Sequence, residues 1–297
     1  MVRFNRPTMV IGLALLMVSL NGCSDPNLKK ARRYQDAKDY DQAISYYRVA
    51  LEKDPENRSA RYSLVETYAQ QLTTGSPQAI TTERVESVMS ELQPIAEPLM
   101  ADPSIKRYVS LIYQMLAKRY AEENHHEKVA EIWSKVIAIE PTFAEAHYNL
   151  GLALVLTGKY EESLSYFEKA VTLNPYFFRG YQGMGDSLLQ LDRAEEATKQ
   201  YLKALDLNPD DPAVHCNLGI AYALVENNEK AVEEFEKTLE LDPYYMLAYP
   251  RLHEMYVKME KTQKAEEVKK KWNEFSEALV QARQEQAGRP PSAGDSE

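Results

Sequence analysis

The chain has 297 residues, of which 44% are hydrophobic and 27% are charged. This balance is typical of a chain with a sizeable core, and it excludes a disordered protein or a membrane protein with many spans. The formal net charge of -10 argues against binding to nucleic acid, because affinity for a phosphate backbone depends on lysine and arginine. The composition therefore predicts a well-packed chain without a nucleic-acid partner.

The chain begins with a positively charged segment that is followed by an apolar run. Arg3 and Arg6 precede the run, which covers residues 9–20. A run of this length is too short to span a bilayer as a stable helix, and its charged start is typical of an export signal. We therefore expect residues 1–22 to be a signal peptide.

The apolar run ends with Leu20-Asn21-Gly22-Cys23, which resembles the lipobox of bacterial lipoproteins. The resemblance implies cleavage before Cys23 and acylation of that cysteine, although Asn21 departs from the small residue usual at its place. Cleavage by the general signal peptidase is the alternative, and Leu20 fits that enzyme poorly. Several acyl chains on one residue hold a protein at a membrane more durably than a single chain does.

Ser24 follows the cysteine. In the lipoproteins of enteric bacteria, a serine at this place directs the protein to the outer membrane. The resemblance therefore implies a cell-envelope protein that is lipid-anchored at the outer membrane and faces the periplasm. If Cys23 is acylated, Cys216 is the one remaining thiol, and a disulfide within the chain is excluded.

Four prolines mark a repeat of 34 residues, at Pro141, Pro175, Pro209 and Pro243. Each one ends a predicted helix, because the residue before a proline is pushed out of the helical region. Upstream of each proline, a small residue is followed four places later by an aromatic one. These pairs are Val129 and Trp133, Ser163 and Phe167, Ala197 and Tyr201, and Ala231 and Phe235. Residues four apart share one face of a helix, so the pattern predicts repeated pairs of antiparallel helices.

Further upstream, a Leu-Gly or Met-Gly pair recurs in the same register at Gly151, Gly185 and Gly219. The combined pattern of Leu-Gly, Tyr, Ala, Phe and Pro resembles the tetratricopeptide repeat. The resemblance implies an all-α fold, a right-handed superhelical solenoid of about seven helix-turn-helix units with a C-terminal capping helix. We expect the solenoid to span residues 23–285. The predicted units cover about 24–57, 58–109, 110–143, 144–177, 178–211, 212–245 and 246–279.

The second unit has 52 residues where 34 are expected. Residues 72–90 hold the predicted excess, with a loop at 72–77 and a helix at 85–92 that ends near Pro94, Pro98 or Pro103. A surface insertion is one interpretation, because loops accept extra length at low entropic cost. A feature specific for a partner is the other interpretation.

The last unit departs from the repeat pattern. Val268, Trp272, Phe275 and Leu279 continue one apolar face, while the lysines at 269–271 provide a polar one. This arrangement predicts a capping helix, because the end of a repeat array needs a water-facing surface. Residues 286–297 contain too few apolar side chains to fold and should form a flexible tail.

The resemblance further implies that the first helix of each unit lines a concave groove, which binds a peptide or a helix of a protein partner. The partner-binding residues implied in this way are Tyr148, Asn149, Leu152, Val155, Gln182, Asp186, Asn217, Ile220, Leu224, Arg251 and Glu254. Several of them are apolar and lie outside the helix-pairing slots, the recurring positions whose side chains pack between the two helices of a repeat. These side chains should therefore form an exposed interaction patch. The alternative is that they pack against the neighbouring unit.

Catalytic and metal-binding patterns are missing from the sequence. No two of the five histidines have the spacing of a metal site, and His147 and His215 occupy helix-pairing slots. Gly183-Met184-Gly185 follows no predicted strand and is not a nucleotide-binding loop. We therefore expect no enzyme activity, no cofactor, no metal and no small-molecule substrate.

Similar repeat lipoproteins serve assemblies of the cell envelope. The resemblance thus implies a membrane-tethered scaffold that binds partner proteins and supports assembly of an envelope machine for a pilus, secretion or exopolysaccharide export. The alternative is a periplasmic adaptor or regulator that docks a cell-wall enzyme. An enzyme hidden in residues 72–90 is a third class and is disfavoured.

Overall fold

The computed structural model describes residues 25–76 and 79–288, with side chains except at 278, 279 and 281–288. The predicted signal peptide and Cys23 lie outside these residues. Within the described part of the chain there are 14 α-helices and no strand, and none of these helices is both long and apolar enough to cross a membrane. The described residues divide into two compact units, with the boundary between Arg119 and Tyr120.

The first unit contains helices α1 to α4 and most of α5. Their bounds are α1 Pro26–Asp36, α2 Tyr40–Lys53, α3 Arg58–Thr74, α4 Thr82–Ala96 and α5 Pro103–Glu122, with a short 3-10 helix at Glu97–Leu99. The first four helices each begin after a side chain that accepts a bond from a backbone N–H, namely Asp25, Asp39, Asn57 and Thr81. Because the first N–H groups of a helix have no partner within it, these caps fix the helix starts.

A polar contact joins three helices of the first unit. Arg48 on α2 donates from Nε to Glu91 on α4 over 2.7 Å, and the hydroxyl of Tyr68 on α3 donates to the same carboxylate over 2.7 Å. Burial raises the pKa of Glu91, but the bonds from Arg48 and Tyr68 outweigh burial and hold that pKa below its ordinary value. The contact therefore stabilises α4 against α2 and α3.

The residues that the sequence analysis assigned to the excess of the second repeat, 72–90, are largely helical where the structure describes them. Helix α3 continues to Thr74, so no loop begins at residue 72, and α4 contains the predicted helix 85–92 and packs against α3. The expansion extends into the next repeat, because α3 has 17 residues and α5 has 20 where the regular helix at 144–156 has 13. Pro94 lies inside α4 and does not end it. The structure thus has helix where a loop was predicted at 72–74, and the bounds of the insertion stay a prediction.

The second unit contains the end of α5 and helices α6 to α14, in which consecutive helices pack together. Their bounds are α6 His126–Ile139, α7 Ala144–Leu156, α8 Tyr160–Leu173, α9 Phe178–Gln190, α10 Ala194–Leu207, α11 Pro212–Leu224, α12 Asn228–Leu241, α13 Ala248–Lys258 and α14 Thr262–Gly288. The turn inside each helix pair has one residue with positive φ, at Asn124, Gly158, Asp192, Glu226 and Glu260. These positions are 34 residues apart, so the backbone follows the predicted period.

Glycines in the first helices let an aromatic ring lie directly against the backbone. A Cβ atom built on Gly151 would lie 2.6 Å from the ring of Phe167, and one built on Gly183 would lie 2.8 Å from the same ring. Phe167 is completely buried. The two first helices α7 and α9 therefore close on one ring of α8, and this packing explains why the repeat needs a residue without a side chain there.

A recurring hydrogen bond ties the first helix of a repeat to the turn before it. A side chain in the helix-pairing slot donates to the carbonyl oxygen of the proline six residues earlier. The pairs are His147 with Pro141 at 3.0 Å, His215 with Pro209 at 2.9 Å and Tyr249 with Pro243 at 2.8 Å. Both histidines donate from Nε2, since a carbonyl oxygen can only accept. Histidine and tyrosine thus have the same structural role in different repeats.

The two histidines differ at their other ring nitrogen. Nδ1 of His215 lies 2.6 Å from a carboxylate oxygen of Glu234, whereas Nδ1 of His147 is buried without a hydrogen-bond partner. Burial lowers the pKa of His215, but the bonds to Glu234 and to the Pro209 carbonyl outweigh burial and raise that pKa above its ordinary value. The protonated ring of His215 can satisfy both neighbours at once.

Helix α14 covers the end of the array, which confirms the predicted capping helix. Val268 packs against the core of the neighbouring repeats, and the ring of Phe275 lies 5.2 Å from that of Tyr244 and 5.7 Å from that of Tyr249. Helix α14 continues to Gly288, so residues 286–288 of the predicted tail are helical. Residues 289–297 lie outside the described part of the chain.

Candidate functional site

The predicted partner-binding residues lie on α7, α9, α11 and α13, the first helices of four consecutive repeats in the second unit. These first helices contact one another directly, α7 with α9, α9 with α11 and α11 with α13. The equivalent positions Leu152, Asp186, Ile220 and Glu254 follow at intervals of 34 residues. We name this surface the groove face; it comprises the eleven predicted residues together with Leu156 and Val257.

Apolar side chains are exposed at two places on the groove face. The first place, the α7 patch, contains Leu152 at 36% exposure, Leu156 at 62% and the half-buried Val155. The second place, the α11–α13 patch, contains Leu224 at 59% exposure and Val257 at 56%. Large apolar side chains that are exposed close together are typical of an interaction surface.

Ile220 belongs to neither patch. It is partly buried and packs against the core formed by helices α9 to α14. Helix α11 has a first helix on each side, α9 and α13. The side chain of Ile220 therefore contributes to the packing of the repeats, and its role in binding stays a prediction.

Tyr148 also contributes mainly to packing. Its ring lies 5.7 Å from the ring of Phe167 and 5.1 Å from that of Phe177. Burial raises the pKa of its hydroxyl above the ordinary value. Asn149 and Gln182 are half-buried beside it on the same face. Tyr148, Asn149 and Gln182 thus add polar and aromatic character to the groove face.

Asp186 lies between the two apolar patches and links three helices. Its Oδ1 atom accepts a bond of 2.7 Å from the hydroxyl of Tyr201 on α10 and one of 2.9 Å from Nδ2 of Asn217 on α11. Burial raises the pKa of Asp186, with a smaller contribution from Asp211, while the bonds from Tyr201 and Asn217 oppose the rise. The structure thus joins two predicted groove residues, Asp186 and Asn217, into one hydrogen-bonded group.

Arg251 and Glu254 form an ion pair with each other. Nη1 of Arg251 lies 3.6 Å from Oε2 of Glu254, and both side chains are more than half exposed. An exposed pair of this kind contributes little to stability and leaves both groups accessible to water. Their charges offset each other at this end of the groove face, whereas Asp186 has no such counterpart among the described residues.

Cys216 lies on α11, directly before Asn217 of the groove face. Cys216 is buried, and burial raises the pKa of its thiol to about 11, so the thiol remains protonated at neutral pH. A metal-binding group of three or more His, Cys, Asp or Glu side chains does not occur in the described residues. The side chains of the groove face offer apolar contact, hydrogen bonding and charge pairing.

Comparison with known families identifies the repeats. Four family models for the tetratricopeptide repeat match the chain, at residues 28–76, 144–177, 185–225 and 212–245. The chain carries tetratricopeptide repeats. Two of the matches, 144–177 and 212–245, have the same bounds as two of the predicted repeats. No curated protein matches the chain.

Solved structures of MamA have the same tetratricopeptide fold. The "MamA RS-1 ArsTM double mutant" is 24% identical, with a TM-score of 0.55 over 57% of this chain and 96% of that one. "MamA 41-end from Desulfovibrio magneticus RS-1" is 24% identical, with a TM-score of 0.54 over 57% and 96%. A further MamA crystal structure is 21% identical, with a TM-score of 0.53 over 56% and 97%. At these identities the likeness concerns the fold alone, and it confirms the predicted all-α tetratricopeptide solenoid.

Tetratricopeptide repeats build extended concave surfaces that bind other proteins. Protein–protein interaction is therefore the class of function that the repeats support. Sequence reasoning placed Asp186 and Asn217 on the groove face but missed their mutual bond and the role of Tyr201. The available signal was Tyr201 itself, because the equivalent positions hold Phe167 and Phe235, which have no hydroxyl to donate.

Proposed function

We propose that this chain is a membrane-tethered scaffold that binds partner proteins through the groove face and supports the assembly of an envelope machine for a pilus, secretion or exopolysaccharide export. The observation that supports binding is the exposure of Leu152, Leu156, Leu224 and Val257 on the first helices. Burying such side chains against a partner is favourable by about 25 cal/mol per Å² of apolar surface removed from water. A peptide or helix that covered both patches would gain from each of them.

The tether rests on the sequence alone. The export signal at residues 1–22 and the lipobox-like segment that ends at Cys23 support an acylated protein in the cell envelope, and Ser24 supports the outer membrane. The test is the distribution of the Cys23→Ala chain between the membrane and soluble fractions. We expect Cys23→Ala to lose fatty-acid labelling and membrane attachment, whereas Cys216→Ala should keep both.

Site-specific photocrosslinking tests binding through the groove face. A photoreactive residue replaces Leu156 on α7 or Leu224 on α11, and the crosslinked partners are identified by mass spectrometry. The matched control is Leu202, which is 42% exposed on the second helix α10. The proposal expects the same partner at both groove positions and no capture at position 202.

The class of the captured partner separates the possible roles. A structural subunit of an envelope assembly supports the scaffold, whereas a cell-wall hydrolase supports the alternative adaptor. Equal capture from positions 156, 224 and 202 would contradict binding through the groove face.

A further inference from the structure

The carboxylate of Asp186 uses only one of its two oxygens within the fold. The bonds from Tyr201 and Asn217 both end on Oδ1. Oδ2 forms no hydrogen bond to any residue that the structure describes, and it is not among the buried polar atoms that lack a partner. Oδ2 therefore has at least a little accessible surface and keeps lone pairs for a further bond.

No basic side chain forms a hydrogen bond or an ion pair with Asp186 among the described residues. Tyr201 and Asn217 donate to it, and the acidic Asp211 and the neutral hydroxyls of Tyr148 and Tyr245 interact with it electrostatically. The described residues contain no ion pair that includes Asp186. A partly buried carboxylate without a cation is unfavourable, because burial weakens its hydration and nothing of opposite charge replaces the lost water.

Apolar surface flanks this carboxylate on both sides. Asp186 is on α9, between the α7 patch and the α11–α13 patch, and first helices of adjacent repeats are in direct contact. Packed helices have axes about 10 Å apart, and a peptide in the polyproline II conformation advances about 3.1 Å per residue with three residues per turn, so that every third side chain lies on the same side. A peptide that crosses the groove face would therefore place one residue on each successive first helix about every third position.

We propose that Asp186 binds a lysine or arginine of the partner, with an apolar residue about three positions before it and another about three positions after it. The basic group donates to Oδ2, and the apolar side chains cover the two patches. This inference rests on the proposed function, because it specifies the partner that the groove face takes. The chain's net charge of -10 favours the approach of such a basic segment.

The competing explanation is that Asp186 only positions Tyr201 and Asn217. The substitution Asp186→Asn separates the two roles, because the amide oxygen can still accept both internal bonds while the amide nitrogen replaces Oδ2. The matched control is Asp192→Asn, which removes the same charge at an exposed turn. Asp192 has φ of 58°, a backbone conformation that asparagine tolerates well.

The experiment selects binders of the full-length chain from a displayed library of random 12-residue peptides. We expect peptides with a lysine or arginine between two apolar residues, and we expect Asp186→Asn to weaken their affinity about tenfold or more in fluorescence anisotropy. Asp192→Asn should leave the affinity unchanged. In a second measurement, norleucine replaces the basic residue of the peptide; binding to the unaltered protein should fall by a similar factor, independently of any effect of a mutation on folding.

The other outcomes overturn the inference in distinguishable ways. If selected peptides carry no basic residue, or if Asp186→Asn binds them as tightly as the original chain, the role of Asp186 is wrong. Should those peptides still lose affinity in Leu156→Asp and Leu224→Asp chains, the proposed groove function survives. If the library gives no binder that depends on either patch, both proposals fail.

Discussion

The repeats at 144–177 and 178–211 have the same frame but different chemistry at two linked positions. Each has a first helix of 13 residues, a second helix of 14 and a positive-φ residue in the turn. The first repeat combines Phe167 with an exposed Leu152, whereas the second combines Tyr201 with Asp186, joined by a hydrogen bond. The positions at which helices pack thus fix the fold, while residues beside them can change the surface from apolar to acidic.

The largest expected effect comes from disrupting the contact between a glycine and an aromatic ring, which both repeats share. In Gly151→Val and Gly185→Val, the added side chain would collide with Phe167 and Tyr201, since a Cβ built at either glycine lies 2.6 Å from the ring. Overpacking of this kind costs about 1–3 kcal/mol. We expect similar losses of unfolding free energy in both variants, measured by urea denaturation. The exposed control Ser165→Val should change stability by less than about 0.5 kcal/mol. A much smaller loss for Gly185→Val than for Gly151→Val would show that the helix packing of the two repeats is not equivalent.

A smaller effect should follow from exchanging the chemistry of the two repeats. Tyr201→Phe removes one donor from Asp186 and should cost about 1–2 kcal/mol of unfolding free energy. The loss should become close to zero in an Asp186→Leu background, which reproduces the pair found in the neighbouring repeat. The measurement is a double-mutant cycle by urea denaturation.

The reverse exchange provides the control for this cycle. Phe167→Tyr introduces a hydroxyl on a fully buried ring. Its repeat has Leu152 at the position equivalent to Asp186, and leucine cannot accept a hydrogen bond, so we expect destabilisation of about 1–3 kcal/mol. If Tyr201→Phe costs the same with and without Asp186, the hydrogen bond does not explain the difference between the repeats.

The smallest expected effect concerns the hydrogen bond from the helix-pairing slot to the proline carbonyl. His147 donates it in the repeat at 144–177, and His215 donates it in the repeat at 212–245. The raised pKa of His215 means that its contribution to stability is fully present below the ordinary histidine pKa and is lost as pH rises through the folded-state value. We expect His215→Tyr to remove this part of the pH dependence, because Tyr249 forms the same proline bond without a titrating ring. Urea midpoints between about pH 5.5 and 8.5 test this prediction. His147→Tyr is the matched control, and an equal change in its pH profile would contradict the assignment to His215 and Glu234.

The repeat frame was predictable from the sequence because packing demands a residue of given size at fixed intervals. Glycine, aromatic residue and proline recur in register, and the structure places them at the predicted helix contacts. The greater lengths of helices α3 and α5 were not predicted. The extra residues contain no recurring glycine, aromatic residue or proline, so the sequence pattern does not say which helices they lengthen. The burial of Ile220 and the bond between Asp186 and Asn217 depend on neighbours about one repeat away, which local patterns do not specify.

The turn at Gly158 is a suitable place to attach a fluorescent reporter of partner binding. A Cβ built on this residue meets no atom within 4 Å, and the turn directly follows the end of α7 that carries the exposed Leu156. Exposed turns of this kind accept added chain with little entropic cost. A small fluorescent domain inserted there would lie at the edge of the groove face without interrupting a helix. Its fluorescence could then report the binding of a partner.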